Sequence, residues 1–143
     1  MEWLNNNGDK WDIYNGNPTY VNIVRIVDAS NKIVECKGNM ANFIIYNGKH
    51  FEKIKSKLEC YRTNLLKWKY GIEIHNKKVP HSRKRVPIID KFLSTNFICV
   101  TSVPYITSQQ ETLSNIENRT VNYNEIVNAS EKKILEILTN QRI

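Results

Sequence analysis

Cysteine, glycine and proline are scarce in this chain: its 143 residues include three cysteines, five glycines and four prolines. An odd number of cysteines, each in an apolar context, does not fit a secreted disulfide scaffold and indicates buried, reduced thiols. No stretch approaches the roughly 18 consecutive apolar residues of a membrane span. The N-terminus has neither the basic start nor the apolar stretch of a signal peptide. We therefore expect a cytoplasmic protein without a membrane partner.

The motifs that carry common catalytic chemistry are also absent. The sequence has no glycine-rich phosphate loop, no G-x-S-x-G turn, no H-E-x-x-H motif and no paired cysteine spacing for zinc. His50, His75 or His81 could pair with a cysteine as a nucleophile, but buried thiols and surface histidines are the simpler interpretation. We expect no catalytic residue, no metal site, no cofactor and no enzymatic activity.

Acidic residues are fewer than basic ones. The chain has 14 Asp and Glu and 21 Lys and Arg, which gives a formal net charge of +7. Residues 61–91 carry nine cations and only two anions, Glu73 and Asp90, so the whole excess lies in this one segment. A charge focused in this way favours a polyanionic partner, whereas evenly spread charge would only favour solubility.

Local patterns predict an α+β fold that is β-rich and strand-dominated, with one internal amphipathic helix at residues 49–60 and a C-terminal helix. A hairpin over residues 119–127 is expected to turn at Asn124, and Asn128 with Glu131 is expected to cap the final helix. Residues 1–18 are expected to form an irregular arm that docks on the domain. The predicted strands are residues 20–27, 33–36, 42–46, 66–74, 86–89, 96–101 and 103–106.

The clearest predicted strand is 66–74, where apolar and polar residues alternate without error. Its apolar phase is expected to face the core, with Lys67 and Lys69 on the opposite face. The loop that follows combines cations that neutralise phosphates with polar side chains that bond to phosphates or base edges. These candidates are Asn76, Lys77, Lys78, His81, Ser82, Arg83, Lys84 and Arg85. Strand and loop together predict an interface for double-stranded DNA.

RNA is the main alternative ligand. Readers of single-stranded RNA usually present aromatic side chains for stacking on a sheet face. Trp68 and Tyr70 share the apolar phase of the predicted strand and are expected in the core, which favours duplex DNA. An acidic protein partner also stays open, as for a small phage or plasmid protein that inhibits its target. An anionic membrane is disfavoured, because no basic amphipathic helix carries Trp or Phe on its apolar side.

Five segments occur in a familiar order: a strand, a helix that ends in cysteine, a basic segment with glycine, a Pro-Ile turn and an apolar strand that ends in Thr-Ser. They are Phe43-Ile44-Ile45-Tyr46, residues 51–60, residues 67–71, Arg85-Val86-Pro87-Ile88-Ile89 and Phe97-Ile98-Cys99-Val100-Thr101-Ser102. In this order and spacing, residues 44–106 resemble the ComK family of competence transcription factors.

A second set of segments is similar to the LytTR DNA-binding domain in its closing pattern of strand, hairpin and final helix. The segment that matches the last strand of this pattern is Phe97-Ile98-Cys99-Val100-Thr101-Ser102-Val103-Pro104-Tyr105-Ile106. The segments that match the hairpin and the early turn are Ile116-Glu117-Asn118-Arg119-Thr120-Val121, Ile126-Val127-Asn128-Ala129-Ser130 and Lys37-Gly38-Asn39-Met40.

Both resemblances imply a bacterial transcription factor that binds A/T-rich promoter boxes by loops, as a homodimer or a higher oligomer. Residues 19–143 would then form a β-rich DNA-binding domain. The family match adds Thr101 and Ser102 as candidate contacts. Lys132 and Lys133 join them, because at the predicted start of the final helix their amides could also meet a phosphate.

Overall fold

The computed structural model describes residues 2–39, 43–75, 89–106, 112–114, 119–121 and 123–140. The helices are α1 (Glu2–Asn6), α2 (Phe51–His75), α3 (Ile89–Asn96) and α4 (Tyr123–Asn140). The strands are β1 (Ile13–Asn15), β2 (Thr19–Asp28), β3 (Ile33–Asn39), β4 (Ile44–Tyr46), β5 (Cys99–Ser102), β6 (Thr112–Ser114) and β7 (Arg119–Val121). Across these ranges no helix combines the length and the apolarity needed to cross a membrane.

Five strands form one mixed sheet in the order β2-β3-β5-β1-β4, and β6 pairs with β7 in a separate antiparallel ribbon. β1 lies inside the sheet, parallel to β5 and antiparallel to β4, so that Ile13 is opposite both Cys99 and Tyr46. β3 pairs antiparallel with β2 and with β5. Residues 1–18, expected as an irregular arm, therefore supply an inner strand, and all three residues of that strand are buried.

One face of the sheet is covered by helices. Ile54 of α2 and Leu93 of α3 pack with Ile13, while Ile134 of α4 packs with Val34 farther along the same face. Ile13, Val34 and Ile134 are completely buried. Burying such an aliphatic side chain stabilises the fold by about 1.5–3 kcal/mol. This packing holds α2, α3 and α4 against the sheet.

The opposite face is covered in part by the N-terminal segment. Leu4 and Trp11 pack with Tyr14, whose side chain points to the other face from that of Ile13. The Trp11 Nε1–H donates to the Leu4 carbonyl (3.0 Å), and the Trp3 Nε1–H donates to Asp28 Oδ2 (2.8 Å). A helix as short as α1 is not stable alone, so these long-range contacts hold it in place.

The largest difference from the sequence prediction is at residues 66–74, which are helical. α2 runs without interruption for 25 residues, so the predicted strand is wrong. The segment also fits a helical period, because Leu65, Trp68 and Ile72 are spaced i, i+3 and i+7. A helix that has already formed extends at little cost, and residues 52–70 contain neither glycine nor proline to stop it.

The α+β class is confirmed, although helix exceeds strand among the described residues because α2 extends through the predicted strand. The strands predicted at 20–27, 33–36, 42–46 and 96–101 correspond to β2, β3, β4 and β5. Residues 103–106 contain no strand, and Ile89 begins α3 instead of ending an edge strand. Residues 86–88 of that predicted strand lie outside the described residues.

The C-terminal region differs in its hairpin and its helix start. β7 pairs with β6, not with a strand at 125–127, because α4 already begins at Tyr123. Asn128 is therefore inside the helix and cannot cap it. Glu131 instead accepts a hydrogen bond from the Tyr105 backbone N–H at 3.0 Å and ties α4 to the segment after β5.

The three cysteines differ in exposure, which corrects the expectation that all are buried. Cys36 and Cys99 are buried and Cys60 is exposed on α2. Burial raises the pKa of Cys36 to about 12 and that of Cys99 further still, while thiol reactivity needs the thiolate.

We therefore expect one thiol per chain to react with an aromatic disulfide reagent such as DTNB under native conditions, and three in denaturant. The Cys60→Ser variant should have none that reacts quickly in the native state. Two or more fast thiols in the folded protein would contradict the packing of β3 and β5.

Candidate nucleic-acid interface

A single buried carboxylate fixes the start of α2 to the sheet. Asp12, which directly precedes β1, has a side chain only 1% exposed. Its Oδ1 lies 2.7 Å from Lys53 Nζ and 2.7 Å from His50 Nδ1. Its Oδ2 accepts hydrogen bonds from Lys53 Nζ (2.8 Å) and from the Ile98 backbone N–H (2.9 Å). One acidic side chain thus joins the first turn of α2 to the residues before β1 and β5.

These contacts determine the charge state of Asp12. Burial alone would raise the pKa of this carboxyl. Hydrogen bonds from Lys53 and from the Ile98 N–H, with the positive charges of Lys53 and His50, outweigh burial and leave the pKa below its ordinary value. Asp12 therefore stays ionised in the folded protein at neutral pH, and its ion pair with Lys53 is retained.

The turn before α2 is fixed by Asn47. Its side-chain carbonyl accepts a hydrogen bond from the Lys49 backbone N–H (3.0 Å), as a capping residue does. Its Nδ2 donates to the Gly8 carbonyl (2.6 Å) and to the Trp11 carbonyl (2.7 Å). The side chain is buried, so the entry to α2 has one position relative to the N-terminal segment.

A second set of contacts joins α2 to α3. Lys57 Nζ donates to the Asn96 carbonyl at 3.0 Å and lies 5.4 Å from the centre of the Phe97 ring, within the range of a cation–π interaction. One turn later, the rings of Tyr61 and Phe92 are 4.4 Å apart. α2 and α3 therefore form one unit that is anchored on the sheet, and the residues that connect them in sequence are counted with it.

This unit, residues 49–91, carries most of the chain's positive charge. It contains 13 cations and four anions, so it has a net charge of +9, and the remainder of the chain has −2. Lys53 and Lys57 contact the body of the domain, whereas Lys55, Arg62 and Lys91 are exposed. The structure thus places the exposed cations Lys55, Arg62 and Lys91 on one anchored pair of helices.

Lys67 and Lys69 do not share one face of a strand as predicted, since both positions are in α2. Residues two apart on an α-helix are about 200° apart around its axis. The predicted alternation of lysines on a sheet edge is therefore wrong, although both lysines remain part of the basic unit.

The predicted cationic loop connects α2 to α3. α2 ends at His75 and α3 begins at Ile89, so the connection belongs to the basic unit in sequence. Its candidate residues lie outside the described residues, and their predicted role stays a prediction. They are Asn76, Lys77, Lys78, His81, Ser82, Arg83, Lys84 and Arg85.

The two candidates in β5 differ in exposure. Thr101 is completely buried, because β5 is an inner strand and position 101 faces α4 with Val34. Ser102 is half-buried, and its hydroxyl is 2.7 Å from the Tyr14 hydroxyl. Thr101 therefore cannot contact DNA and has a structural role, whereas the predicted contact of Ser102 stays a prediction.

Lys132 and Lys133 lie in the middle of α4, not at its start, so their amides are bonded within the helix and cannot bind a phosphate. The Lys133 Nζ donates to the Val21 carbonyl at 2.9 Å. Lys132 is 80% exposed and lies 4.0 Å from Glu136. Both residues are exposed, but the Lys133 side chain is engaged by its bond to Val21.

The residues that sequence reasoning missed are Asp12, His50 and Lys53, with Lys55 and Arg62 on the exposed side of α2. The pairing of Asp12 with Lys53 joins residues 41 positions apart and has no local signal. The two exposed cations, Lys55 and Arg62, do have a local signal. They are spaced i and i+7, which places them on one side of a helix once α2 is extended past Cys60.

The described part of the domain has a further concave surface outside the basic unit. A cleft of about 500 Å³ lies between β2 and α4 and is lined by Tyr20, Val21, Glu125, Ile126, Ala129, Ser130 and Lys133. It is shallow, and the bond from Lys133 to Val21 forms part of its wall. Within the described ranges, no three His, Cys, Asp or Glu side chains are grouped as metal ligands.

Comparisons with protein-family models, curated proteins and solved structures found no match for this chain. The resemblance to the ComK family and the LytTR domain therefore stays a prediction. Support for a function comes from the charges and contacts of the chain itself.

Proposed function

We propose that the chain is a double-stranded DNA-binding transcription regulator that contacts the phosphate backbone through residues 49–91. The observation that carries the proposal is the concentration of a net +9 on one helix, its connection and a second helix. Lys and Arg side chains that neutralise phosphates release condensed counterions, which supplies the sequence-independent part of DNA affinity. The rest of the chain, at −2, contributes no such attraction.

The dimensions of α2 suit a duplex. Its 25 residues extend over about 37 Å, similar to the roughly 34 Å of one turn of DNA. Lys55 and Arg62 are exposed on it, and the connection adds the arginines at 83 and 85. Arginines in an extended segment enter the narrow minor groove of A/T-rich DNA, so A/T-rich sites are the proposed targets.

Duplex is favoured over single strands because the described strands offer no row of stacking aromatics. The exposed aromatic side chains of the five-stranded sheet, Tyr20 and Tyr46, lie on its two opposite edge strands. A single-strand reader places such rings together on a face. We propose that the regulator acts as a dimer or higher oligomer, as the family resemblance implies.

A salt series tests the proposal directly. Fluorescence anisotropy is measured with a random 20-base-pair duplex, an A/T-rich duplex and poly-U, from low to moderate salt. We expect the affinity for both duplexes to fall steeply with salt, with a slope of about one unit in log K per phosphate contact. The A/T-rich duplex should bind more tightly than the random one.

Two results would count against the proposal. Equal or tighter binding of poly-U would indicate an RNA-binding protein. Duplex binding that is absent at low salt would show that the basic unit has another partner.

A further inference from the structure

Three of the five glycines in this chain directly follow an asparagine: Gly8, Gly16 and Gly48. The backbone nitrogen of a glycine is unhindered because the residue has no Cβ, and its backbone turns freely enough to bring that nitrogen to the preceding side chain. An asparagine in such a pair can therefore lose its amide spontaneously. The three pairs share this chemistry and differ in how the fold holds them.

The reaction needs no enzyme, and its only other reactant is water. The glycine nitrogen attacks the asparagine Cγ, and the new bond closes a succinimide ring. The bond from Cγ to Nδ2 breaks, and ammonia leaves with the proton of the glycine N–H. Water then opens the ring at either of its carbonyl carbons, which gives aspartate or isoaspartate. Both products replace an amide with a carboxylate, and isoaspartate also inserts a methylene group into the backbone.

The Asn47-Gly48 pair is held against this reaction by side-chain hydrogen bonds. Asn47 is 5% exposed. Its Oδ1 accepts from the Lys49 backbone N–H, and its Nδ2 donates to the carbonyls of Gly8 and Trp11. The side chain cannot turn toward the Gly48 nitrogen until all three bonds break.

The Asn15-Gly16 pair is held by the sheet. Asn15 is 1% exposed in the inner strand β1, and its Oδ1 accepts from the Asn17 backbone N–H at 3.3 Å. The attacking group is itself engaged, since the Gly16 N–H donates to the Phe43 carbonyl at 2.9 Å. Attack at Asn15 therefore requires β1 to leave the sheet.

The Asn7-Gly8 pair is held least. Asn7 is half-buried, and its side chain does not cap the helical turn that begins at Gly8. In the described part of the chain this side chain makes one hydrogen bond, from Nδ2 to the Trp3 carbonyl at 3.0 Å. The same carbonyl also accepts the Asn7 backbone N–H, so it keeps a donor when the side chain turns away. Terminal segments also open at a lower free energy than the core of a sheet.

We propose that Asn7 is a site of spontaneous deamidation in the folded protein and that the fold protects Asn15 and Asn47. The modification acts beyond residue 7, because the Gly8 carbonyl is 2.6 Å from the Nδ2 of Asn47, which fixes the entry to α2. Isoaspartate lengthens the backbone directly before Gly8 and moves this carbonyl away from Asn47. The proposal goes beyond DNA binding, because it concerns the chemical ageing of the chain.

Peptide mapping measures the three pairs in one experiment. The full-length chain is incubated in its folded state and, in parallel, in denaturant, and trypsin then separates the three pairs into different peptides. Mass spectrometry quantifies aspartate and isoaspartate at each asparagine. In the folded chain we expect Asn7 to convert at least about tenfold faster than Asn15 and Asn47, because the rate follows the population of the locally open state. In denaturant the three rates should be similar.

Two glycine variants form a matched pair. Gly8→Ala adds a methyl group beside the attacking nitrogen, 3.0 Å from the flexible side chain of Lys49. Gly48→Ala makes the same change at a protected pair, into open space, and neither glycine has a positive φ. We expect Gly8→Ala to slow the conversion of Asn7 about tenfold or more and Gly48→Ala to leave it unchanged. Circular dichroism checks that both variants fold.

The Asn7→Asp variant separates the new charge from the longer backbone. It carries the carboxylate of the product on an ordinary backbone, so we expect it to unfold in urea at the midpoint of the native chain. The isoaspartate fraction of aged protein should unfold at a lower urea concentration, with faster hydrogen exchange at the Lys49 amide. Gly8→Ala protein aged in the same way should show neither change.

Three outcomes would overturn the proposal. Equal conversion of the three pairs in the folded chain would show that the fold does not discriminate between them. Conversion of Asn7 in denaturant alone would show that the N-terminal segment is held as firmly as the sheet. An unchanged unfolding midpoint of the isoaspartate fraction would remove the link from Gly8 to α2. None of these measurements involves DNA, so the proposed function and this proposal can fail separately.

Discussion

Duplex DNA affinity is expected to fall by two to three orders of magnitude when Arg83, Lys84 and Arg85 are replaced together by alanine. Each phosphate contact contributes nearly one power of the salt concentration to the binding constant. At about 0.1 M salt, three lost contacts therefore cost several hundred-fold in affinity, and the salt slope decreases by about three units. Anisotropy titrations at several salt concentrations measure both quantities.

A matched control removes the same charge elsewhere. Lys10, Lys32 and Lys37 are exposed and lie outside residues 49–91. Lys10→Ala, Lys32→Asn and Lys37→Ala form the control, with asparagine at 32 because that residue has φ of 53°. We expect at most a few-fold loss of affinity in the control and an unchanged thermal transition in both triple variants. Equal losses would mean that only net charge matters, and no specific segment binds the duplex.

Replacing Asp12 by alanine is expected to lower the free energy of unfolding by about 1–3 kcal/mol, because the part-buried Ile98 N–H loses its acceptor while Lys53, 47% exposed, can be hydrated. The change takes from Lys53 its carboxylate and from the Ile98 N–H its acceptor, and it removes the contact with His50. Urea unfolding followed by circular dichroism measures the change.

Asp9 offers a control three residues away, since its side chain is 88% exposed and 3.5 Å from Lys49. Asp9→Ala should leave stability nearly unchanged, because exposed ion pairs contribute little. A similar loss in both variants would show that Asp12 is not the anchor of α2.

The depressed pKa of Asp12 also gives the sign of its pH dependence. The carboxylate contributes stability above its unfolded-state pKa of about 3.9, and this contribution is lost as the pH falls through the lower folded-state pKa. We expect the difference in stability between the native chain and Asp12→Asn to be constant above about pH 5 and to shrink below about pH 4. A stability difference that increased in acid would contradict a lowered pKa for Asp12.

Four of the five strands of the sheet and the charge of the basic unit could be predicted from the sequence, because both have local signals, whereas β1 could not. β-branched runs indicated β2 and β3, and formal charge is read directly from residue types. The strand prediction for residues 66–74 was wrong because five of the nine positions are apolar. Their spacing fits both the two-residue period of a strand and the 3.5-residue period of a helix. The local pattern alone could not decide between a strand and a helix. The helix that begins at Phe51 decides in favour of a helix, because extending a formed helix costs little.

The site was predicted less well than the fold, since its positioning is long-range. Asp12 is an isolated acid in sequence, and only the insertion of β1 beside β5 brings it to Lys53 and Ile98. Thr101 and Ser102 were predicted as DNA contacts from a family resemblance. That resemblance aligned a strand but did not indicate which of its faces is buried. Lys133 was placed near a helix terminus because the start of α4 was predicted five residues too late.

The position of β1 has a consequence for how the chain is synthesised. β1 comes from the first fifteen residues, yet its parallel neighbour β5 begins at Cys99. A ribosome translating at about 5–20 residues per second therefore makes β1 several seconds before β5, although β4 follows β1 sooner. Until then Ile13 and Tyr14 have no complete sheet to join, so β1 is open to chaperones during this interval.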